Sequence, residues 1–159
     1  MKNTTLCYIE KDNCYLMLRR SSKKNDGSAG KWMGIGGHFE EGESPYECVC
    51  REVKEETGLT LISPQYRAVV TFNSDEYESE QMHLFTADSF GGELTQCNEG
   101  ELHWIKKEDL PSLNMWNGDM VFLNLLSTEK SFFSLKLTYQ GETLKEYSVN
   151  GASPTVVIN

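Results

Sequence analysis

Glu52, Glu55 and Glu56 are spaced so that a helix carrying them would present all three carboxylates on one face, Glu56 one turn from Glu52 and Glu55 three residues from it. Unneutralised, such acids repel one another. Clustered carboxylates of this kind match what a hard divalent cation such as magnesium requires: oxygen ligands, near-octahedral geometry, and positions left over for water and phosphate. Three glutamates on a helix are more often a solvated face. What sets these apart is the register around them: Gly37, five residues, Glu43, seven residues, Arg51-Glu52-Val53, one residue, Glu55-Glu56, one residue, Gly58-Leu59. With each residue at its ordinary frequency, chance would produce such a run in fewer than about one in a million chains of this length. Gly36-Gly37 can bring backbone close to the helix, where a carbonyl can join the acids. Arg51 stands where it can brace a carboxylate, and Glu43 where it can brace the loop before the helix.

The positioning helix is legible in detail. Ser44-Pro45-Tyr46-Glu47 is a capping box with proline at the first helical position, and Gly58 supplies a left-handed residue at the far end, which predicts a helix over Pro45 to Thr57. Tyr46, Val49, Cys50 and Val53 form a neighbouring stripe for burial against a sheet. Before it, Thr4 to Glu10 and Cys14 to Arg19 read as a hairpin around Lys11-Asp12-Asn13, Arg20 to Gly30 as a polar loop, and Lys31 to Gly37 as a strand. After it, Tyr66 to Phe72 and Gln81 to Ala87 are strands flanking the acidic loop Asn73 to Glu80, and Leu102 to Ile105 is another. Asp119 to Leu126 reads as a second helix, with its start marked by Asn117-Gly118-Asp119. Phe132 to Tyr139 pairs with Thr143 to Val149 across Gln140-Gly141, and Asn150 to Asn159 is a loose tail or an edge strand.

Composition narrows the class. A chain of 159 residues with 38% hydrophobic content suits one α/β domain over residues 1–159, with a sizeable core and no internal repeat. It has no apolar run of about 18 residues and no signal-like N-terminus, which points to a cytoplasmic protein without a membrane partner. The five cysteines include no CxxC pair, which suits a reducing compartment. A net charge of -9 argues against a surface that holds duplex nucleic acid, while a small polyphosphate stays admissible because a bound metal inverts the local charge. His38, His83 and His103 lack metal-ligand spacing and read as structural.

The segment from Gly37 to Leu59 resembles a complete Nudix box, the metal-binding signature of hydrolases that cleave a nucleoside diphosphate linked to another moiety. Trp116-Asn117-Gly118-Asp119, Phe132-Phe133-Ser134 and the stretch Cys97 to Trp104 are similar to the MutT-like branch, the 8-oxo-dGTP diphosphatases. The resemblance runs from about Thr4 to Val149. It implies the Nudix fold, a mixed β-sheet sandwiched between helices, and magnesium-dependent release of a nucleoside monophosphate and pyrophosphate, with manganese as a possible substitute. It also implies Glu52, Glu55 and Glu56 as metal ligands, the Gly37 carbonyl as an addition, and Glu99 as a loop carboxylate that binds metal or activates water. Glu55, Glu56 and Glu99 are then the catalytic candidates. For Glu99 the plain alternative is a surface acid beside Glu101. Arg19, Arg20, Lys23, Lys24 and Lys31 are either phosphate contacts or a solvated basic loop.

Base recognition falls to four residues. Trp116 can stack on a purine, and Asp119 can accept hydrogen bonds from the amide and amino edge of a guanine-like base; the competing assignments are a core tryptophan and a helix N-cap aspartate. Phe72 is a candidate pocket wall or a core residue. Met33 stands where some sanitising enzymes carry an asparagine that bonds the base, and a thioether packs against a base without reading its polar edge. Three readings follow: an oxidised-purine triphosphate hydrolase, the same chemistry on another nucleotide derivative, or a non-catalytic nucleotide-binding module. Oligomeric state, monomer or homodimer, is open.

Overall fold

The computed structural model describes residues 1–21 and 28–158. A central strand β1 (Lys2–Lys11) carries much of the architecture, because three other strands pair with it. It turns at Asp12 and Asn13, both left-handed (φ 52° and 59°), into the antiparallel β2 (Cys14–Arg20), the backbone twist that a two-residue hairpin requires. The expected strand over Lys31 to Gly37 is broken in two. β3 (Trp32–Met33) pairs with β2, whereas β4 (Ile35–His38) pairs antiparallel with β1 through Thr4 to Cys7. The switch comes at Gly34, where a Cβ would lie 2.8 Å from the Cys7 carbonyl oxygen, so the chain passes from one neighbour to the other at a point with no room for a side chain.

Helix α1 (Pro45–Thr57) has the predicted bounds. Ser44 Oγ accepts from the Glu47 N–H at 3.1 Å, Glu47 Oε1 accepts from the Ser44 N–H at 2.9 Å, and Gly58 closes the helix at φ 81°. Such a cap contributes about 1 kcal/mol. The buried face departs from the expected stripe. Cys48, Val49, Val53 and Thr57 are buried, Cys50 is only partly so, and Tyr46 is 48% exposed. The wheel cannot show that β4 lies against the Cys48 side: the thiol meets Thr5 Oγ1 at 3.4 Å and donates weakly to the Gly37 carbonyl at 3.8 Å. Tyr46, in the first turn, instead meets the buried Phe85 and the half-buried Tyr66 edge-on.

A short pair follows, β5 (Thr60–Leu61) with β8 (Phe90–Gly91), which frames β6 (Gln65–Ser74) and β7 (Glu80–Ala87). β7 lies parallel to β1 and antiparallel to β6, so the sheet is mixed. β9 (Gly100–Lys106) pairs with β2, and a 3-10 turn (Lys107–Ser112) leads to α2 (Asn117–Thr128). That helix starts two residues before the expected Asp119, and its N-cap is Trp116 with no side-chain cap bond. β10 (Phe133–Gln140) pairs antiparallel with β11 (Thr143–Val149) as expected and also parallel with β6, a pairing the sequence did not indicate, and the tail supplies a two-residue edge strand, β12 (Thr155–Val156).

The two helices cover opposite faces. Val49 and Val53 of α1 join Cys7, Ile9, Leu16, Leu18 and Phe85 in one core layer, and Phe122, Leu123 and Leu126 of α2 join Tyr8, Val70, Leu84, Leu135 and Leu137 in the other. Each fully buried aliphatic side chain contributes about 1.5–3 kcal/mol, which fixes both helices to the sheet without help from the acids.

Candidate active site

Arg51 is the hub of the acidic face. Its Nε donates to Glu43 Oε2 at 2.6 Å and its Nη2 to Glu43 Oε1 at 3.0 Å, a bidentate clamp, while Nη2 also reaches the His38 carbonyl at 3.0 Å. Its Nη1 donates to Glu52 at 2.9 Å and to Glu55 at 3.2 Å. Glu43 in turn accepts from the Glu40 N–H at 2.7 Å, so the loop before the cap and the acids of the helix are tied through one guanidinium. Those bonds, Arg51 foremost, hold the Glu43 carboxyl at about 2. The bracing roles expected of Arg51 and Glu43 are what the geometry displays.

Glu56 has a different environment. Burial, then the charges of Glu52 and Glu99, push its carboxyl up to about 8, partly offset by Arg20 and the Gly36 N–H. Its Oε2 is buried without a hydrogen-bond partner among the described residues. Gly37 lies over Glu52: a Cβ there would stand 2.5 Å from the carboxyl carbon, so glycine leaves the space this carboxylate fills. Burial also raises Glu52. Among the described residues no three His, Cys, Asp or Glu side chains are drawn into a ready ligand cage; Arg51 engages Glu52 and Glu55 instead. An all-oxygen donor set, an orphaned carboxylate oxygen and mutual repulsion nonetheless fit a hard divalent cation. Glu99 reaches this spot from the loop before β9, close enough for its charge to act on Glu56.

The basic residues divide. Arg20 ends β2 beside Glu56, Arg19 is exposed and lies 3.9 Å from Glu101, and Lys31 packs over Trp116; Lys23 and Lys24 lie outside the described residues.

Met33, Phe72, Trp116 and Asp119, distant in sequence, line one cavity of about 200 Å³ together with Lys31, Tyr77, Glu80 and Tyr139. Trp116 Nε1 donates to Ser28 Oγ at 3.2 Å, its ring stands edge-on to Tyr139 (5.4 Å), and Lys31 Nζ sits 5.2 Å from its centroid. Asp119 is 6% exposed. Its backbone N–H bonds the Trp116 carbonyl, but its carboxylate takes no hydrogen bond among the described residues, so it is not the helix cap. Burial and the neighbouring Glu80 push it up to about 8. Glu80 and Tyr139 were missed from the sequence, though alternation carried a signal for both: Glu80 shares a strand face with Met82 and Leu84, and Tyr139 with Leu135 and Leu137. Tyr139 Oη accepts from the Gly118 N–H at 2.8 Å, fixing the first turn of α2 beside the cavity.

The NUDIX domain model matches residues 2–126. The uncharacterized Nudix hydrolase YvcI of Bacillus subtilis is 33% identical over 147 residues, 89% of each chain, and the oxidized purine nucleoside triphosphate hydrolase of Danio rerio is 32% identical over 111 residues, 69% of this chain and 71% of that one. Among solved structures, the MutT protein of Bacillus halodurans superposes with a TM-score of 0.84 at 26% identity, covering 96% of this chain and 100% of that one. With an intact box on a capped helix, a mixed sheet between two helices and relatives matched over most of their length, this chain belongs to the Nudix family and is a Nudix hydrolase with MutT-like character.

Proposed function

We propose that this enzyme hydrolyses oxidised purine nucleoside triphosphates, 8-oxo-dGTP in particular, to the monophosphate and pyrophosphate, and so serves to cleanse the nucleotide pool. The observation that carries this reading is Asp119, a buried carboxyl with no hydrogen bond of its own among the described residues, in the wall of a cavity that also holds Trp116. A guanine-like base offers adjacent N–H donors on the edge that such a carboxylate accepts, and its ring can stack on the indole. Desolvation disfavours the charged form of this carboxyl, and a ligand edge that supplies hydrogen-bond donors from the cavity offsets that cost.

Glu52, Glu55, Glu56, Glu99 and the Gly37 carbonyl are the groups that would hold a divalent metal such as magnesium. When bound, such an ion supplies charge neutralisation on the phosphates and lowers the pKa of water. Arg51 keeps Glu52 and Glu55 at fixed height, and Glu56 retains a proton near neutral pH in the metal-free chain. Removal of the proton from the attacking water falls to the carboxylates gathered there, Glu55, Glu56 and Glu99.

Met33 favours a second reading, hydrolysis of another nucleotide derivative such as a different nucleoside triphosphate, a nucleotide sugar or an RNA 5′ end. It lines the same cavity and has no group with which to distinguish one polar base edge from another. A magnesium-supported screen with product identification separates the two. The first reading expects kcat/KM for 8-oxo-dGTP at least about tenfold above that for dGTP, corresponding to one added interaction of about 1.4 kcal/mol. Equal values, or faster turnover of a sugar nucleotide or capped RNA, would transfer the assignment to the second.

A further inference from the structure

The loop that brings Glu99 to the acidic face is strapped across the C-terminal end of α1. The Thr95 N–H donates to the Thr57 carbonyl at 2.9 Å, and the Glu93 carbonyl oxygen lies 2.8 Å from where a Cβ on Gly58 would be, so the strap rests directly on the helix cap. At its other end the Glu99 carbonyl accepts from the Ser21 N–H at 3.0 Å, and Gly100 pairs with Arg20 so closely that a Cβ on it would stand 1.9 Å from the Arg19 carbonyl oxygen. Between these anchors lies Cys97. Its sulfur accepts from the Glu99 N–H at 3.4 Å and packs against the same apolar layer as Val53 and Leu102. The thiol thus turns the chain at Glu99 as a serine would in an i to i+2 side-chain turn, while its soft body holds the turn down on the core.

We propose that Cys97 is a positioning residue for Glu99, locking the turn that delivers this carboxylate beside Glu56 at the end of the acidic helix. The inference rests on the role given to Glu99 above. Cys97 touches no reacting atom, and its contribution passes entirely through the orientation of its neighbour.

The test compares Cys97→Ala, Cys97→Ser and Glu99→Gln, singly and combined, by Mn²⁺ titration followed by electron paramagnetic resonance and by kcat for 8-oxo-dGTP and dGTP. Cys97→Ala removes the acceptor and should weaken Mn²⁺ binding and lower kcat by roughly five- to tenfold, the scale of one neutral hydrogen bond. Cys97→Ser keeps an acceptor for the same N–H and should stay within about twofold of the parent. In a Glu99→Gln background the alanine change should add nothing further, since what it misplaces is already disabled. Should the alanine variant unfold, Cys97→Val keeps the apolar volume without the acceptor and serves the same comparison. A full additional loss in the Glu99→Gln background, a serine variant as impaired as the alanine one, or parental values for both would overturn the proposal. Glu99→Gln alone reports on the underlying role: parental Mn²⁺ affinity and kcat there would remove that role, and the positioning function with it.

Discussion

Asp119→Ala tests base recognition and the electrostatics of the cavity at once. Because Asp119 is 6% exposed and its folded-state value is about 8 against an ordinary 3.8, the native chain keeps a proton that the unfolded chain has lost throughout the interval between them. Stability from this group is therefore complete below about pH 4 and declines as pH rises toward 8. Each unit of displacement is worth about 1.4 kcal/mol, so the decline amounts to a few kcal/mol. The alanine variant should lose that part of the slope, and the variant-minus-parent difference isolates it from Glu56, which titrates in the same direction. At pH 8 the variant should be no less stable than the parent. A capping aspartate would behave oppositely, losing about 1 kcal/mol at neutral pH. On the kinetic side, removing an acceptor for base N–H groups should lower kcat/KM for 8-oxo-dGTP by about 1.5 to 3 kcal/mol, roughly ten- to hundredfold. A pyrimidine triphosphate should change little, since the acidic face is untouched. Thermal midpoints from pH 4 to 8 and kcat/KM on both substrates complete the assay. Equal kinetic losses on purine and pyrimidine would refute base reading by Asp119, and an unchanged pH slope would refute its buried titration.

Other perturbations separate chemistry from scaffold. Glu56→Gln keeps the shape and removes the charge, so turnover at saturating magnesium should fall by orders of magnitude while circular dichroism is unchanged and alkaline stability rises; chelation should abolish activity reversibly without unfolding, because the two core layers do not depend on an ion. Gly36→Ala and Gly37→Ala should diverge: a Cβ at Gly36 would stand 1.8 Å from the Thr5 carbonyl oxygen and should disrupt β1–β4 pairing and lower the melting temperature, whereas the nearest atoms to one at Gly37 belong to the end of the Glu52 side chain, which can shift, so that change should lower activity with the fold kept.

The helix and its acids were legible because their determinants are local. A capping box, a terminal glycine and an i, i+3, i+4 pattern act within one or two turns, and α1 begins and ends where they place it. Arg51 was legible for the same reason, since Glu52 and Glu55 share its helix and Glu43 lies in the adjoining loop. What the linear order could not supply were the relations between elements. The break at Gly34 depends on which strand lies alongside, the exposure of Tyr46 and burial of Cys48 on where β4 crosses the helix, and the orphaned oxygen of Glu56 on the burial that packing imposes. The base cavity is the clearest case. Met33, Phe72, Trp116 and Asp119 come from two strands, a loop and a helix, and the pairing of β3 with β2, the placing of β6 in the sheet through β7 and β1, and the docking of α2 on that face bring them together. Desolvation and shape are properties of the assembled interior, so the capacity for metal chemistry could be read along the chain, while the surroundings of a base had to wait for the fold.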